Sequence, residues 1–403
     1  MLKWPIPVAR IAAIMFALLT GSPERLPAQA THGSAPGQTD SRQLSPPGAA
    51  ATEPNAEVSV PEEELRQGSD LTRRGDFNKA IPHLLAARAQ ATSLYAASFN
   101  LAICYLGIHQ YAQAIQLLND LKGEGRDNAN VENLLAQAYI GSGQERQGLQ
   151  ALESASTMSP QDEKLYALVA DACTDQHDFA LGLKVADIGL RNLPNSARLH
   201  YERALLLSQL DRLDRAKADF SQASKLGQGG EIGYVSAARL ALLEGSIPEA
   251  VRVSREGIKK GFQSPVLLTT LGEALVRSGV TPGESDFIEA QTALEKAVAE
   301  RPNDPAGQIS LGQIYLMTGR LDDSIDHLQK ARQLMPNQPS IYASLAKAYQ
   351  KRGDSLDAER ALAILEKLNL DRAEHIRSAP GERKMSYGGG EVGDEEVPSK
   401  PQQ

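Results

Sequence analysis

Hydrophobic and polar residues alternate along most of the chain with the spacing of amphipathic helices. Residues 310–340, SLGQIYLMTGRLDDSIDHLQKARQLMPNQPS, contain two such runs, joined by Thr318-Gly319 and closed by Pro336. Apolar side chains three or four residues apart lie on one face of a helix. Glycine suits the left-handed conformation that often ends a helix, and proline interrupts one. The stretch therefore predicts two helices joined by a tight turn.

The same arrangement recurs with a period of 34 residues, so we predict an array of similar units. Six additional residues lie inside the seventh unit, between Gly279 and Ala290. The units and this insertion together span residues 61–372, which is 312 of the 403 residues. The nine predicted units are residues 61–94, 95–128, 129–162, 163–196, 197–230, 231–264, 265–304, 305–338 and 339–372.

Small side chains stand at two positions of every unit. A small residue on one helix lets the backbone of a second helix come close, while bulkier side chains fill the space beside it. Each unit is therefore predicted to be a helix hairpin, and the fold class to be all-α. The eighth position holds Gly68, Ala102, Ala136, Ala170, Ala204, Ala238, Gly272, Gly312 and Ala346, and the twentieth holds Ala80, Ala114, Gly148, Gly182, Ala216, Ala250, Ala290, Ser324 and Ala358.

Residues that end helices mark both boundaries of the predicted hairpin. The fifteenth position is glycine in several units, whereas His109, His177 and Asp211 take its place in three others. Histidine and aspartate adopt positive φ more readily than most non-glycine residues. Proline at the thirty-second position predicts the end of the second helix. The residues concerned are Gly75, Gly143, Gly245, Gly319 and Gly353, and Pro160, Pro194, Pro302 and Pro336.

These residue types, in this order and at this period, resemble the tetratricopeptide repeat. The resemblance implies an α-solenoid, a right-handed superhelix of antiparallel helix hairpins whose first helices line the concave side. No unit has the tryptophan that the family favours at its fourth position, where Tyr166, Tyr234 and Tyr342 stand in three units. Arg203 replaces the usual leucine at the seventh position of the fifth unit.

Relatives in this family bind peptides or partner helices in the concave groove, so the groove is the candidate site. The fifth, ninth and twelfth positions of a first helix share one stripe, opposite the stripe that packs on the second helix. Apolar side chains interleaved with amides suit an extended peptide or an amphipathic helix. The alternative is that these side chains pack between neighbouring first helices. The candidate residues are Phe99, Ile103, Leu106, Asn133, Gln137, Tyr201, Leu205, Arg239, Leu242, Ile309 and Gln313.

The first 30 residues have the pattern of a secretory signal peptide. Lys3 and Arg10 precede the apolar run IAAIMFALL, and Ala28-Gln29-Ala30 fits a cleavage site after Ala30. The run is about half as long as a bilayer span requires, so a retained membrane anchor is the less favoured alternative. We therefore expect an exported protein, periplasmic or secreted, with no integral membrane span in the mature chain.

The segments on either side of the predicted repeats differ from them in composition. Residues 31–60 are rich in proline, alanine, glycine and serine, which predicts a disordered linker because such a segment cannot bury a core. Residues 373–403 are predicted to form a short helical cap followed by a disordered tail.

The charge of the chain and the motifs that it lacks argue against several classes of function. Lysine and arginine number 42 against 50 aspartates and glutamates, a net charge of -8 with no basic block, which argues against nucleic-acid binding. The sequence has no P-loop, nucleophile elbow, HExxH helix or paired CxxC motif. It therefore predicts a non-catalytic protein that needs no cofactor or metal.

The two cysteines, Cys104 and Cys173, fall in different predicted units. A disulfide requires Cα atoms within about 7 Å, so we predict free, buried thiols. Cys173 and His177 are four residues apart on one helix face, a spacing compatible with metal binding. Two ligands are too few for a metal site, and a core residue beside a turn residue is the favoured interpretation.

The leading hypothesis is an exported scaffold that binds a protein or peptide partner in the groove. A solenoid that holds a nonprotein ligand, such as a polysaccharide during export, is the alternative. A metal-dependent enzyme is the third and least favoured. The inserted residues 280–285 are predicted to be a tolerated loop, with a partner contact as the alternative.

Overall fold

A computed structural model describes residues 60–89 and 94–378. In these ranges all regular structure is helical and no strand is present. The predicted signal peptide with its cleavage site, residues 31–59 of the predicted linker and residues 379–403 of the predicted tail lie outside the described residues. The helices are α1 (Val60–Arg74), α2 (Phe77–Arg88), α3 (Leu94–Gly107), α4 (Tyr111–Gly123), α5 (Ala129–Gly141), α6 (Glu145–Met158), α7 (Glu163–Asp175), α8 (Phe179–Asn192), α9 (Ala197–Gln209), α10 (Leu213–Leu226), α11 (Glu231–Glu244), α12 (Ile247–Lys259), α13 (Pro265–Arg277), α14 (Ser285–Glu300), α15 (Pro305–Met317), α16 (Leu321–Leu334), α17 (Pro339–Arg352) and α18 (Ser355–Ser378).

The helices alternate between a first and a second helix of a hairpin, and each first helix begins at the start of a predicted unit or one residue before it. The fifteenth residue of each unit has a positive φ, from 56° at Asp211 to 93° at Gly353. His109 and His177, with φ of 59° and 58°, adopt the conformation that glycine takes in six of the other units. The prediction that these residues end the first helices is confirmed.

A recurring backbone hydrogen bond explains why this conformation is needed. The N–H of the residue after the turn donates to the carbonyl of the eleventh residue, for example from Gln110 to Tyr105 over 2.8 Å and from Asp178 to Cys173 over 2.9 Å. This bond belongs to the Schellman motif, which forms when the preceding residue is left-handed. This hydrogen bond ends the first helix, and the chain then turns back alongside that helix.

The chain divides into two compact units, Met1–Ala274 and Leu275–Gln403. Within the first, consecutive helices from α1 to α12 pack on one another, and so do consecutive first helices from α1 to α11. Within the second, α14 to α18 pack consecutively, and α15 also packs on α17. Each unit is therefore an all-α stack of consecutive helix hairpins, as in an α-solenoid. Helix α13 crosses the division between the units.

The small residues lie where the two helices of a hairpin touch. A Cβ atom on Gly68 would lie 2.7 Å from the Leu84 side chain, and one on Gly312 would lie 2.8 Å from Cγ of Leu328. Ser324, on the facing helix, donates a hydrogen bond of 2.7 Å to the Gly312 carbonyl. The helices are therefore closer at these points than any larger residue would allow.

In four units, the side chain at the fourth position provides a hydrogen bond to the preceding unit. The hydroxyls of Tyr166 and Tyr342 donate to the carbonyls of Pro160 and Pro336, over 3.0 and 2.6 Å. His200 and Gln308 hydrogen-bond in the same way to Pro194 and Pro302, over 3.0 and 2.6 Å. A polar side chain at this position thus joins the start of one unit to the end of the preceding one.

Arg203, at the seventh position, is held in an ion-pair network instead of an apolar contact. Its guanidinium lies 2.8 Å from Asp187 and 2.6 Å from Asp219, on the second helices before and after it. The hydrogen bonds that the guanidinium donates to these carboxylates raise the pKa of Arg203. His200 also lies 2.8 Å from Asp219, a largely buried carboxylate. The network accounts for a charged residue at this position, because a buried carboxylate needs such partners.

Candidate partner-binding face

The predicted groove residues do not form an open apolar surface. Phe99 and Tyr201, the two aromatic residues among them, are each 7% exposed. Phe99 stacks on Tyr95 and Tyr201 packs edge-on against Phe220, with ring centroids 5.8 Å apart in both pairs. Ile103, Leu106 and Leu242 are buried. These side chains thus contribute to helix packing, and only a small part of each contacts solvent.

The predicted amides form hydrogen bonds within the array. The Nδ2 atom of Asn133, on α5, donates to the Leu165 carbonyl of α7 over 2.7 Å. Gln137 Nε2 in turn donates to Asn133 Oδ1 over 2.8 Å. Both residues are buried. The Asn133–Leu165 hydrogen bond joins two first helices, whereas the Gln137–Asn133 bond lies within α5, so both amides contribute to the internal packing of the array.

The ninth position connects neighbouring first helices through polar contacts. Arg239 lies 2.7 Å from Glu273, which has the same position in the next predicted unit, and both side chains are about one-fifth to one-quarter exposed, at 19% and 24%. Gln313 Nε2 donates to Ser344 Oγ over 3.3 Å, which connects α15 and α17. Leu205 and Ile309 are also partly exposed and pack at the edges of the core. Of the predicted residues, Leu205, Arg239, Ile309 and Gln313 are thus the ones that a partner can reach with little rearrangement.

A more exposed surface lies on the last two first helices, α15 and α17. Met317, Ala343, Lys347, Gln350 and Lys351 are exposed there, next to the partly exposed Gln313. We call these six residues the terminal face. Lys347 and Lys351 were not among the predicted site residues, because the prediction used only the fifth, ninth and twelfth positions of selected units. One feature of the sequence could have indicated this face: residues 305–317 and 339–352 contain no aspartate or glutamate.

The cysteines are free and buried, as predicted. Burial raises the pKa of the Cys104 thiol to about 11 and that of the Cys173 thiol to about 12. Cys104 Sγ lies 3.2 Å from the Thr72 hydroxyl. These environments disfavour the thiolate, which is the nucleophilic form.

The spacing of Cys173 and His177 does not bring them into one site. Cys173 lies in the core, whereas His177 is an exposed turn residue whose ring contacts Phe179. Among the described residues, no group of three or more histidine, cysteine, aspartate or glutamate side chains is arranged to hold a metal ion. The same part of the chain contains no helix with the length and apolar character that crossing a membrane requires.

Several known structures are similar to the chain at low sequence identity. A tetratricopeptide repeat protein from Parabacteroides merdae ATCC 43184 is 17% identical over 72% of this chain and 98% of its own, with a TM-score of 0.42. The APC/C hetero-tetramer Cut9–Hcn1 gives 14% identity over 73% of this chain and 57% of its own, with a TM-score of 0.43. YrrB, a TPR protein with an unusual peptide-binding site, gives 19% identity over 49% of this chain and 100% of its own, with a TM-score of 0.30. These values are too low to transfer a function to this chain.

Family models match several parts of the described array, whereas no curated protein matches the chain. One tetratricopeptide repeat model matches residues 71–138 and 283–331, and another matches residues 197–226. A third model, described as a TPR repeat, matches residues 312–353. These matches identify tetratricopeptide repeats within residues 71–138, 197–226 and 283–353, where the structure also has consecutive helix hairpins.

Proposed function

We propose that the chain is an exported, non-catalytic scaffold that binds a protein or peptide partner on its first helices. The supporting observation is that Leu205 and Ile309, at groove positions of first helices, remain partly exposed at the edge of the core. A partner that covers such side chains gains apolar burial without unfolding the array. Tetratricopeptide repeats typically serve protein interaction, and no catalytic motif was found in the sequence.

The structure changes the choice of residues for testing this proposal. Phe99 and Tyr201 are poor choices because truncation of a buried aromatic side chain costs about 3–5 kcal/mol of stability. Leu205→Ala removes apolar surface from the proposed contact region at a smaller cost in packing. Leu213→Ala is the matched control, since Leu213 is 38% exposed on the second helix α10.

The experiment begins with capture of partners by the full chain from envelope and secreted fractions, followed by titration of each identified partner. We expect Leu205→Ala to weaken binding by about tenfold, which corresponds to about 1.4 kcal/mol, and Leu213→Ala to leave it unchanged. Equal affinity for both variants would remove this face from the proposal. Binding to a glycan array with no protein captured would instead favour the polysaccharide alternative, which the burial of Phe99 and Tyr201 makes less attractive.

The export part of the proposal rests on the N-terminal sequence pattern. Its test is the N-terminal sequence of the protein recovered from the envelope or the medium. We expect the recovered chain to begin at Thr31. Recovery of the full-length chain from the cytosol alone would contradict export.

A further inference from the structure

The terminal face differs in charge from the rest of this acidic chain. Helix α15 has no charged residue, and α17 has only Lys347, Lys351 and Arg352. The whole chain has a net charge of -8, so two consecutive first helices without a carboxylate are a local exception. An anionic group that approaches this face therefore meets no carboxylate from α15 or α17.

The two lysines of this face lack the ion pairs that the neighbouring arginine makes. Arg352 lies 2.7 Å from Asp322 and also pairs with Asp354. Lys347 and Lys351 are exposed, lie one turn apart on α17, and form no ion pair with any described residue. Their ammonium groups are thus available to an anionic ligand that can span one helical turn.

A matching anionic segment lies in the same chain. Residues 391–396, EVGDEE, carry four carboxylates within six residues. We propose that this acidic segment folds back on the terminal face and places its carboxylates against Lys347 and Lys351. The contact is autoinhibitory, because it covers first-helix surface that would otherwise be open to another molecule.

The distance to be spanned fits the intervening chain. Helix α18 runs from Ser355 to Ser378 and packs on α17, to which the turn at Gly353 joins it. Lys347 therefore lies level with the residues near Arg360, about 27 Å along the helix axis from Ser378. The lateral offset between packed helices adds about 8–10 Å, which gives a path of about 30 Å. Twelve residues, 379–390, reach at most about 40 Å, so Glu391 can arrive at Lys347.

Tethering makes this contact effective although single exposed ion pairs are weak. A short tether presents the acidic segment at an effective concentration on the order of millimolar, which an untethered acidic peptide must exceed to compete. Because both lysines are exposed, the attraction is screened by salt. The contact should therefore form at low ionic strength and weaken as the ionic strength rises.

Zero-length carbodiimide cross-linking of the full chain tests the contact, because it joins an amine and a carboxylate that already form an ion pair. We expect cross-links from Lys347 and Lys351 to residues 391–396. Their yield should fall at least about fivefold as the NaCl concentration rises from about 0.05 M to about 0.5 M. Lys367 is the matched control, since it is exposed on α18 and lies nearer to the segment along the chain. An equal mixture of light and isotopically heavy chains shows whether both peptides come from one molecule.

A charge-reversal variant separates specific attraction from chance encounters. Lys351→Glu should lower the cross-linking of Lys347 to residues 391–396 at least about fivefold at low salt, whereas Lys367→Glu should not change it. A second change, Glu396→Lys in the Lys351→Glu chain, should restore much of the yield. Equal, salt-independent yields at all three lysines would overturn the proposal. So would cross-links found mainly between light and heavy chains. Neither result depends on partner capture, so this inference and the proposed function fail separately.

Discussion

In four units, a polar side chain at the fourth position hydrogen-bonds to the end of the preceding unit, and three different residue types make this contact. Tyrosine, histidine and glutamine all reach the proline carbonyl six residues earlier, as in Tyr342, His200 and Gln308. The tyrosine hydroxyl, the histidine ring N–H and the glutamine amide can each donate a hydrogen bond.

The hydrogen bond from Tyr342 gives a direct test at this scale. Tyr342→Phe removes the donor to Pro336, which accepts the hydroxyl over 2.6 Å, and keeps the shape of the ring. We expect a loss of about 1 kcal/mol in the free energy of unfolding, measured by urea denaturation. Tyr105→Phe is the control, since the Tyr105 hydroxyl forms no hydrogen bond with the described residues. Identical midpoints for the two variants would contradict the assigned role.

At the scale of the element, the helix hairpin depends on close approach at one small residue per helix. Gly312 and Ser324 face each other in the hairpin of α15 and α16, where Leu328 fills the space beside them. The positive φ of Gly319 reverses the chain between them. The hairpin thus depends on the small side chains at Gly312 and Ser324 and on the backbone conformation of Gly319. A larger side chain at Gly312 alone should separate the two helices.

Replacement of Gly312 by leucine tests this packing. Even a Cβ atom would lie 2.8 Å from Leu328 Cγ and 3.3 Å from the Ser324 carbonyl oxygen, so the helices must move apart. We expect destabilisation of about 1–3 kcal/mol from overpacking. Arg332→Leu, on the exposed side of α16, should change stability by about 0.5 kcal/mol or less. Equal shifts of the denaturation midpoint in both variants would count against the assigned register.

At the scale of the whole molecule, the described array has an uncovered end. The twenty-fourth position is buried in the eight earlier units, as at Leu328, which is 0% exposed. The corresponding Leu362 of α18 is 43% exposed, and Leu356, Ile364 and Leu370 are exposed beside it. The difference arises because no described first helix follows α18.

Native-state hydrogen exchange should detect this uncovered end. In a repeat array each unit is stabilised by its neighbours, so the last helix opens at a lower cost than an internal one. We expect the amides of residues 361–368 to exchange at least about tenfold faster than those of residues 324–331. Equal protection would mean that something covers α18.

Substitution at the twenty-fourth position tests the same difference. Leu328→Ala should lower the free energy of unfolding by about 2–5 kcal/mol, and Leu362→Ala should lower it markedly less.

The sequence by itself determined the helices, their turns and the residues at which the hairpins touch. Gly319, His109 and Pro336 act through their own backbone conformations, and the fifteenth-position residues have the φ values that local sequence predicts. Gly312 and Ser324 were identified because the spacing repeats. Such signals are local, so they can be detected before the packing is known.

Only the tertiary structure decided which side chains remain open to a partner. Phe99 and Asn133 share a stripe with Leu205, yet the first two are buried and the third is partly exposed. Likewise, Lys347 and Lys351 are unpaired among the described residues because no carboxylate of α15 or α17 lies beside them. The burial of Asn133, for example, accompanies a hydrogen bond to Leu165 of the next first helix, 32 residues along the chain, a contact that the periodicity of one helix does not contain.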